Sequence, residues 1–141
     1  MAVVYASTLK TSRMQLVADR ISGKTPAAST GTAVAGSLVI GTSALSGATG
    51  VLATIPLSAT AGTVSGNVFT LSGTPLSATA GAAGTAALAE FRDNSGAVIV
   101  SGLTVGGTAE GTASGKDIVL GASTISSGQT VSVSSGTLTH G

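Results

Sequence analysis

The sequence predicts an all-β fold, a sandwich or barrel of seven or eight short strands behind a single N-terminal α-helix. Three observations predict it. Beyond Gly23 the chain runs in short stretches of Ala, Val, Leu, Ile and Thr cut by Gly, Ser, Asn and Pro, the grammar of strands and turns. Before Gly23 glycine is sparse and the apolar positions recur with a helical period. Finally, 21 glycines and an aromatic complement of only Tyr5, Phe69 and Phe91 leave a thin, aliphatic core for 141 residues.

The helix is expected over residues 7–22, where Leu9, Met14, Leu16, Val17 and Ile21 follow the 3.6-residue period. Ser7 or Thr8 would cap its start and Gly23 stop it. Leu9, Leu16, Val17 and Ile21 would pack on the body, leaving Lys10, Arg13, Arg20 and Lys24, four of the six basic side chains, on the outer face. Strands are expected over residues 38–42, 51–57, 67–71, 86–92, 98–103, 118–120 and 130–139.

Between two of these runs stands Asp93-Asn94-Ser95-Gly96, read as a hairpin turn because Asp and Asn bond their own main chain and Gly accepts positive φ. Pro56-Leu57-Ser58-Ala59-Thr60-Ala61-Gly62 recurs as Pro75-Leu76-Ser77-Ala78-Thr79-Ala80-Gly81. Two copies are too few for a solenoid, so they read as two equivalent strand-edge connections with a proline at each entry. The Gly- and Thr-rich stretches 25–36, 78–85 and 106–115 read as loops, mobile in the free protein.

Length and even composition predict a single domain, with an arm and helix over 1–24 and a β-sandwich over 25–141. Ordering a backbone costs about 1–2 kcal/mol per residue and more at glycine. So glycine-rich a chain gains most by burying surface against neighbours, the mark of an assembly component. With 8% charged residues and a net charge of +1 there is no field to draw in nucleic acid or an acidic surface. The absence of cysteine excludes disulfide scaffolds and thiolate chemistry. Residues 1–5 lack the layout of a secretory leader, and no apolar run reaches the roughly 18–20 residues that span a bilayer, so a soluble protein made in the cytosol is expected.

No constellation points to catalysis. His140 stands next to last, where chain ends rarely hold an imidazole rigidly. Asp19, Glu90, Asp93, Glu110 and Asp117 are scattered singly. Asp19 is expected beside Arg20 and Lys24 on the helix surface, Glu90 two residues from Arg92 on one strand face, and Asp93 at the head of the turn. No zinc, calcium or phosphate-loop pattern occurs, so neither metal nor cofactor is expected, and the chain does not read as an enzyme.

The opening Tyr5-Ala6-Ser7-Thr8-Leu9-Lys10-Thr11-Ser12-Arg13-Met14-Gln15-Leu16-Val17 resembles the start of a family of small tailed-bacteriophage virion proteins that begin with a basic amphipathic helix. The Leu-Ser-Ala-Thr-Ala-Gly connection, Phe91-Arg92-Asp93-Asn94-Ser95-Gly96, Gly102-Leu103-Thr104-Val105 and the closing run from Asp117-Ile118-Val119-Leu120 to Leu138-Thr139-His140-Gly141 are similar too. The Ala/Thr/Gly-rich segment 25–50 departs from that pattern.

The resemblance implies a jelly-roll-like β-sandwich of about eight antiparallel strands and a capsid decoration or cementing protein on the outside of the virion. Its partners would be the major capsid protein and copies of itself, as a dimer or trimer, with neither nucleic acid nor membrane bound directly. Contacts are expected from Leu9, Arg13, Leu16, Arg20, Lys24, Thr25 and Pro26, and from the loop 25–29. Two other readings stand beside it, a neck or tail adaptor and a carbohydrate-binding module. The second is weakened because sugar faces stack on aromatic rings and only Tyr5 could serve.

Overall fold

The computed structural model describes residues 3–26 and 28–140. Helix α1 (Ser7–Ile21) leads into eleven strands among the described residues. They are β1 (Ser37–Ser46), β2 (Thr49–Pro56), β3 (Gly62–Ser65), β4 (Val68–Leu71), β5 (Leu76–Thr79), β6 (Gly84–Thr85), β7 (Leu88–Arg92), β8 (Val98–Gly107), β9 (Ile118–Leu120), β10 (Thr124–Ile125) and β11 (Thr130–Thr139). Every expected strand is present, and β9 and β11 have the expected bounds. The sequence reading missed β3, β5, β6 and β10.

The strands join in the order β2-β1-β7-β8-β9-β11-β4-β3, with β5 added to β11 and β6 with β10 as a separate ribbon. This is an all-β, sandwich-like fold. Two long strands connect its faces. The first part of β8 pairs with β7 and its last three residues, Val105–Gly107, pair with β9. Strand β11 holds β5 at its start, β9 at its middle and β4 at its end.

Against the all-antiparallel expectation, β8 and β9 run parallel. Parallel neighbours usually need a crossover of a dozen or more residues; here the shorter loop 108–117 makes it. Gly106 and Gly107 let that loop lie flat, because a Cβ at either would overlap Thr112 or Glu110 and Ser123.

The core is aliphatic around two rings. Leu38, Ile40, Ile55 and Phe91 from one face meet Phe69, Ile118, Leu120 and Val133 from the other. Phe69 and Phe91 pack edge to face with centroids 5.8 Å apart. Burying a side chain of this size contributes about 1.5–3 kcal/mol, which the many small residues around it do not match.

Helix α1 packs on β3, β4 and β8 through Met14, Ala18 and Ile21, spaced four and three apart on one face. Small Ala18 lets the helix sit close to the sheet. This rotates the helix from the expected setting: Ile21 is buried and Val17 packs against the core, but Leu16 is half-buried and Leu9 is 43% exposed. The start also differs. Ala6 is the N-cap and makes no side-chain bond, while Ser7 and Thr8 are already helical and their carbonyls accept from Thr11 and Ser12 hydroxyls at 3.0 Å. The end is as expected: Gly23 takes φ +67°, and the Gly23 and Lys24 amides donate to the Arg20 and Asp19 carbonyls.

The Asp93–Gly96 turn joins β7 to β8 as expected. One Asp93 carboxylate oxygen accepts from the Ser95 amide at 2.9 Å, the Ser95 hydroxyl at 2.7 Å and the Ala97 amide at 3.0 Å. The Ser95 hydroxyl above all holds the Asp93 carboxyl below the usual aspartate range.

The repeated segments are not equivalent. Residues 57–61 form a connection between β2 and β3, whereas Leu76–Thr79 forms β5 along Thr130–Val133 of β11. Both copies bury the same alanine, Ala61 and Ala80. What differs is the neighbour: the second copy meets an open strand edge, and the first meets the Gly36 carbonyl through the Leu57 amide at 3.1 Å. The stretch 78–85, read as a loop, likewise holds the end of β5 and all of β6.

Candidate functional site

The expected contact residues divide into two groups. Leu9, Arg13, Leu16 and Arg20 are separated by four, three and four residues, so they form a single line along the outward side of α1. Lys24, Thr25 and Pro26 follow the helix end and do not continue that line. Thr25 bridges to Thr30, its amide donating to the Thr30 carbonyl at 2.9 Å, and its own carbonyl accepts from the Ser29 amide at 2.9 Å. Thr25, Ser29 and Thr30 thus close on one another.

That closure is held by a residue assigned to the wrong side of the helix. Asp19, expected on the surface beside Arg20 and Lys24, is 2% exposed. Its carboxylate accepts from Gln15 Nε2 at 3.0 Å and from the Ser29 hydroxyl at 2.9 Å. Ser29 reaches it from a positive φ of 52°. Periodicity gave no signal for this: Asp19 shares a flank with Gln15, four residues earlier, and not the Met14–Ile21 face, so its burial comes from Ser29 and its neighbours folding back over that flank.

A second feature was missed at the chain start. Val3 is 70% and Val4 87% exposed, and Tyr5 and Leu9 are exposed too. Among the described residues, the other exposed large hydrophobic side chains are Val34 and Val98. The Arg13 guanidinium sits over the Tyr5 ring, 3.9 Å from its centroid. This stacking orients the cation and shields one ring face. The run Val3-Val4-Tyr5 was visible in the sequence as an apolar arm next to a basic helix.

Two hollows flank α1. One of ≈ 240 Å³ is lined by Tyr5, Ser7, Lys10, Gly66 and Asn67. The other, ≈ 350 Å³, runs along Met14, Val17, Val100, Leu103 and Leu138 to Asp117 and His140. His140 is fixed more firmly than its position near the chain end suggests. Its amide donates to the Asn67 carbonyl at 2.8 Å, and Asn67 Nδ2 donates to its carbonyl at 2.7 Å.

The carboxylates do not converge. Glu90, buried on β7, binds Arg92 on the same strand face as expected. Asp117 accepts from the Thr104 amide at 2.8 Å and hydroxyl at 2.9 Å. Glu110 accepts from the Ser123 amide at 2.9 Å and the Thr124 amide at 3.0 Å. Among the described residues no three His, Asp or Glu side chains come together to hold a metal ion. Among the described residues no helix is long and apolar enough to cross a membrane, which says nothing of strands.

The loop 106–115, read as mobile, is tied down by Glu110. The Ser123 and Thr124 amides hold its carboxyl at a pKa of about 2, against an ordinary 4.5. A depressed carboxylate pKa stabilises the folded form fully above the ordinary value, and that stabilisation is lost as pH falls toward 2. Hydrogen exchange at the Ser123 and Thr124 amides is therefore expected to accelerate between about pH 4.5 and 2 beyond its intrinsic pH dependence. In Glu110→Gln it should be fast already at pH 7, with no such extra step; protection that ignores both changes would show the loop closed by something else.

The class these observations define is a small all-β sandwich-like protein with an anchored helix that presents a mixed basic and apolar face. Comparison with protein-family models, curated proteins and solved structures found no match.

Proposed function

We propose that this chain is a structural component of a tailed-bacteriophage particle, a decoration or cementing protein bound over junctions of the major capsid protein. The observation that carries the reading is the outer face of α1. Leu9, Leu16, Val3 and Val4 leave apolar surface in water beside Lys10, Arg13 and Arg20, on a helix already fixed to the body by Met14, Ala18 and Ile21. Apolar surface concentrated at one place on a small protein marks a docking face. The resemblance of the N-terminal helix and several strand connections to small virion proteins supports it, and the jelly-roll wiring that goes with that resemblance is part of the proposal. The parallel β8–β9 pair is the feature a strict jelly roll lacks.

The mechanism is passive. Each copy contributes a modest contact, and the regular lattice of the shell lets many copies act together against the pressure of packaged DNA. No bond is made or broken. Copies of the chain meet as a dimer or trimer over each junction.

Particles carrying the protein are expected to release their DNA at a higher temperature than particles from which it is deleted, and to be heavier at every capsomer. Unchanged heat resistance and unchanged mass per capsomer would end the cementing reading. A copy number that matches a single ring rather than the whole lattice would move the protein to the neck or tail.

A further inference from the structure

We infer that the outward line of α1 docks on a protein surface that carries carboxylates beside an apolar seam: the seam takes Leu9 and Leu16, and the acids answer Lys10 and Arg13. The inference rests on the docking role proposed above and names the chemistry of the surface that receives it.

It follows from where the charges go. Of the five acidic side chains, Asp19 and Glu90 are buried, while Asp93, Glu110 and Asp117 accept hydrogen bonds from neutral donors at the surface; among the described residues none of the five forms an ion pair with a cation of α1. Arg92 with Glu90 forms the one ion pair among the described residues. A net charge of +1 therefore conceals an uneven distribution: three of the six cations, Lys10, Arg13 and Arg20, lie on α1, whereas the acids are spread over α1, β7 and the loops. Arg20 lies close enough to Asp93 to act on it, and Asp19 lies buried beneath the same end of α1. The uncompensated charge is thus at the other end, on Lys10 and on Arg13 over Tyr5, beside Val3, Val4 and Leu9.

The other occupants fit less well. A second copy meeting this face about a two-fold axis would bring one cationic line against another, and the outward line of α1 carries no carboxylate to answer it. A nucleic acid wants dense cations on its phosphates, whereas here leucine alternates with arginine along the line. A membrane-lying helix needs its apolar side free for lipid, but Met14, Ala18 and Ile21 of α1 face the protein body. An acidic protein surface with an apolar seam uses both residue types at their observed spacing.

The test takes the full chain against four immobilised probes: a helical peptide with Leu and Glu at matching spacing, the same peptide with Gln for Glu, a DNA duplex, and phosphatidylserine-containing vesicles. The Leu/Glu peptide is expected to bind at least about tenfold more tightly than the others and to lose that margin between about 50 and 300 mM salt. Arg13→Glu should abolish the preference and Arg13→Lys keep it within about twofold, while Lys116→Glu, the same charge change off the helix, should leave it unchanged. Equal binding to the Gln peptide, tighter binding to DNA or vesicles, self-association that Arg13→Glu relieves, or equal harm from Lys116→Glu would each overturn the inference. A chain that cements particles yet ignores the Leu/Glu peptide loses this inference and keeps the decoration role. One that selects the peptide but never joins a particle keeps the inference and loses the role.

Discussion

Phe91→Ala is expected to cost about 3–5 kcal/mol of stability, read as a fall in the urea midpoint with little change in slope. Small domains hold only about 5–15 kcal/mol in total, so this single change should bring the protein to the edge of unfolding at room temperature. The reason is composition. With no tryptophan and two phenylalanines, Phe69 is the one other ring in the core; the remaining members are aliphatic, many of them alanine, and too small to close over the hole. Phe69→Ala should cost a similar amount, because its ring packs edge-on to Phe91 across the two faces. The double variant should lose less than the sum, by about 0.5–1.5 kcal/mol for the ring pair. A loss below about 1 kcal/mol at either site would mean that the two faces do not meet there.

The second large effect concerns Arg92. Its Nε donates to Glu90 Oε1 at 2.7 Å and its Nη2 to the Gly47 carbonyl at 2.5 Å, so it ties β7 to the β1–β2 turn. The Glu90 side chain is only 6% exposed, against 19% for Arg92. Arg92→Ala is therefore expected to cost about 3–5 kcal/mol by stranding a buried carboxylate. Glu90→Ala should cost less, since the arginine can swing into water. Replacing the pair together, Glu90→Met with Arg92→Leu, should recover most of the loss. Chemical denaturation of the three variants checks the order; Glu90→Ala as the more damaging single change would contradict the asymmetry.

Much of the architecture was legible because it is local. The helix over α1, its glycine stop, the Asp93–Gly96 turn and the seven expected strands each follow from residue types a few positions apart. The missed strands show the limit. Strand β5 has the same residues as a connection nineteen positions earlier and differs only in having β11 beside it. Strands β6 and β10, each of two residues, exist only as partners of one another.

The candidate docking face was legible as a list of residues and not as a surface. Leu9, Arg13, Leu16 and Arg20 were named from the basic amphipathic pattern, yet Leu9 and Leu16 were expected to face inward. Rotation of a helix about its axis is set by the shape of what it packs on, and here the Met14–Ala18–Ile21 ridge fits best.

By itself, then, the sequence determined an all-β body with one leading helix, because periodicity and turn chemistry act over a few residues. Only the tertiary structure decided which helix side meets solvent, which carboxylates are occupied, and that β8 runs parallel to β9. These depend on contacts between residues far apart in the chain, where packing shape and the need to satisfy buried polar groups outweigh local preference.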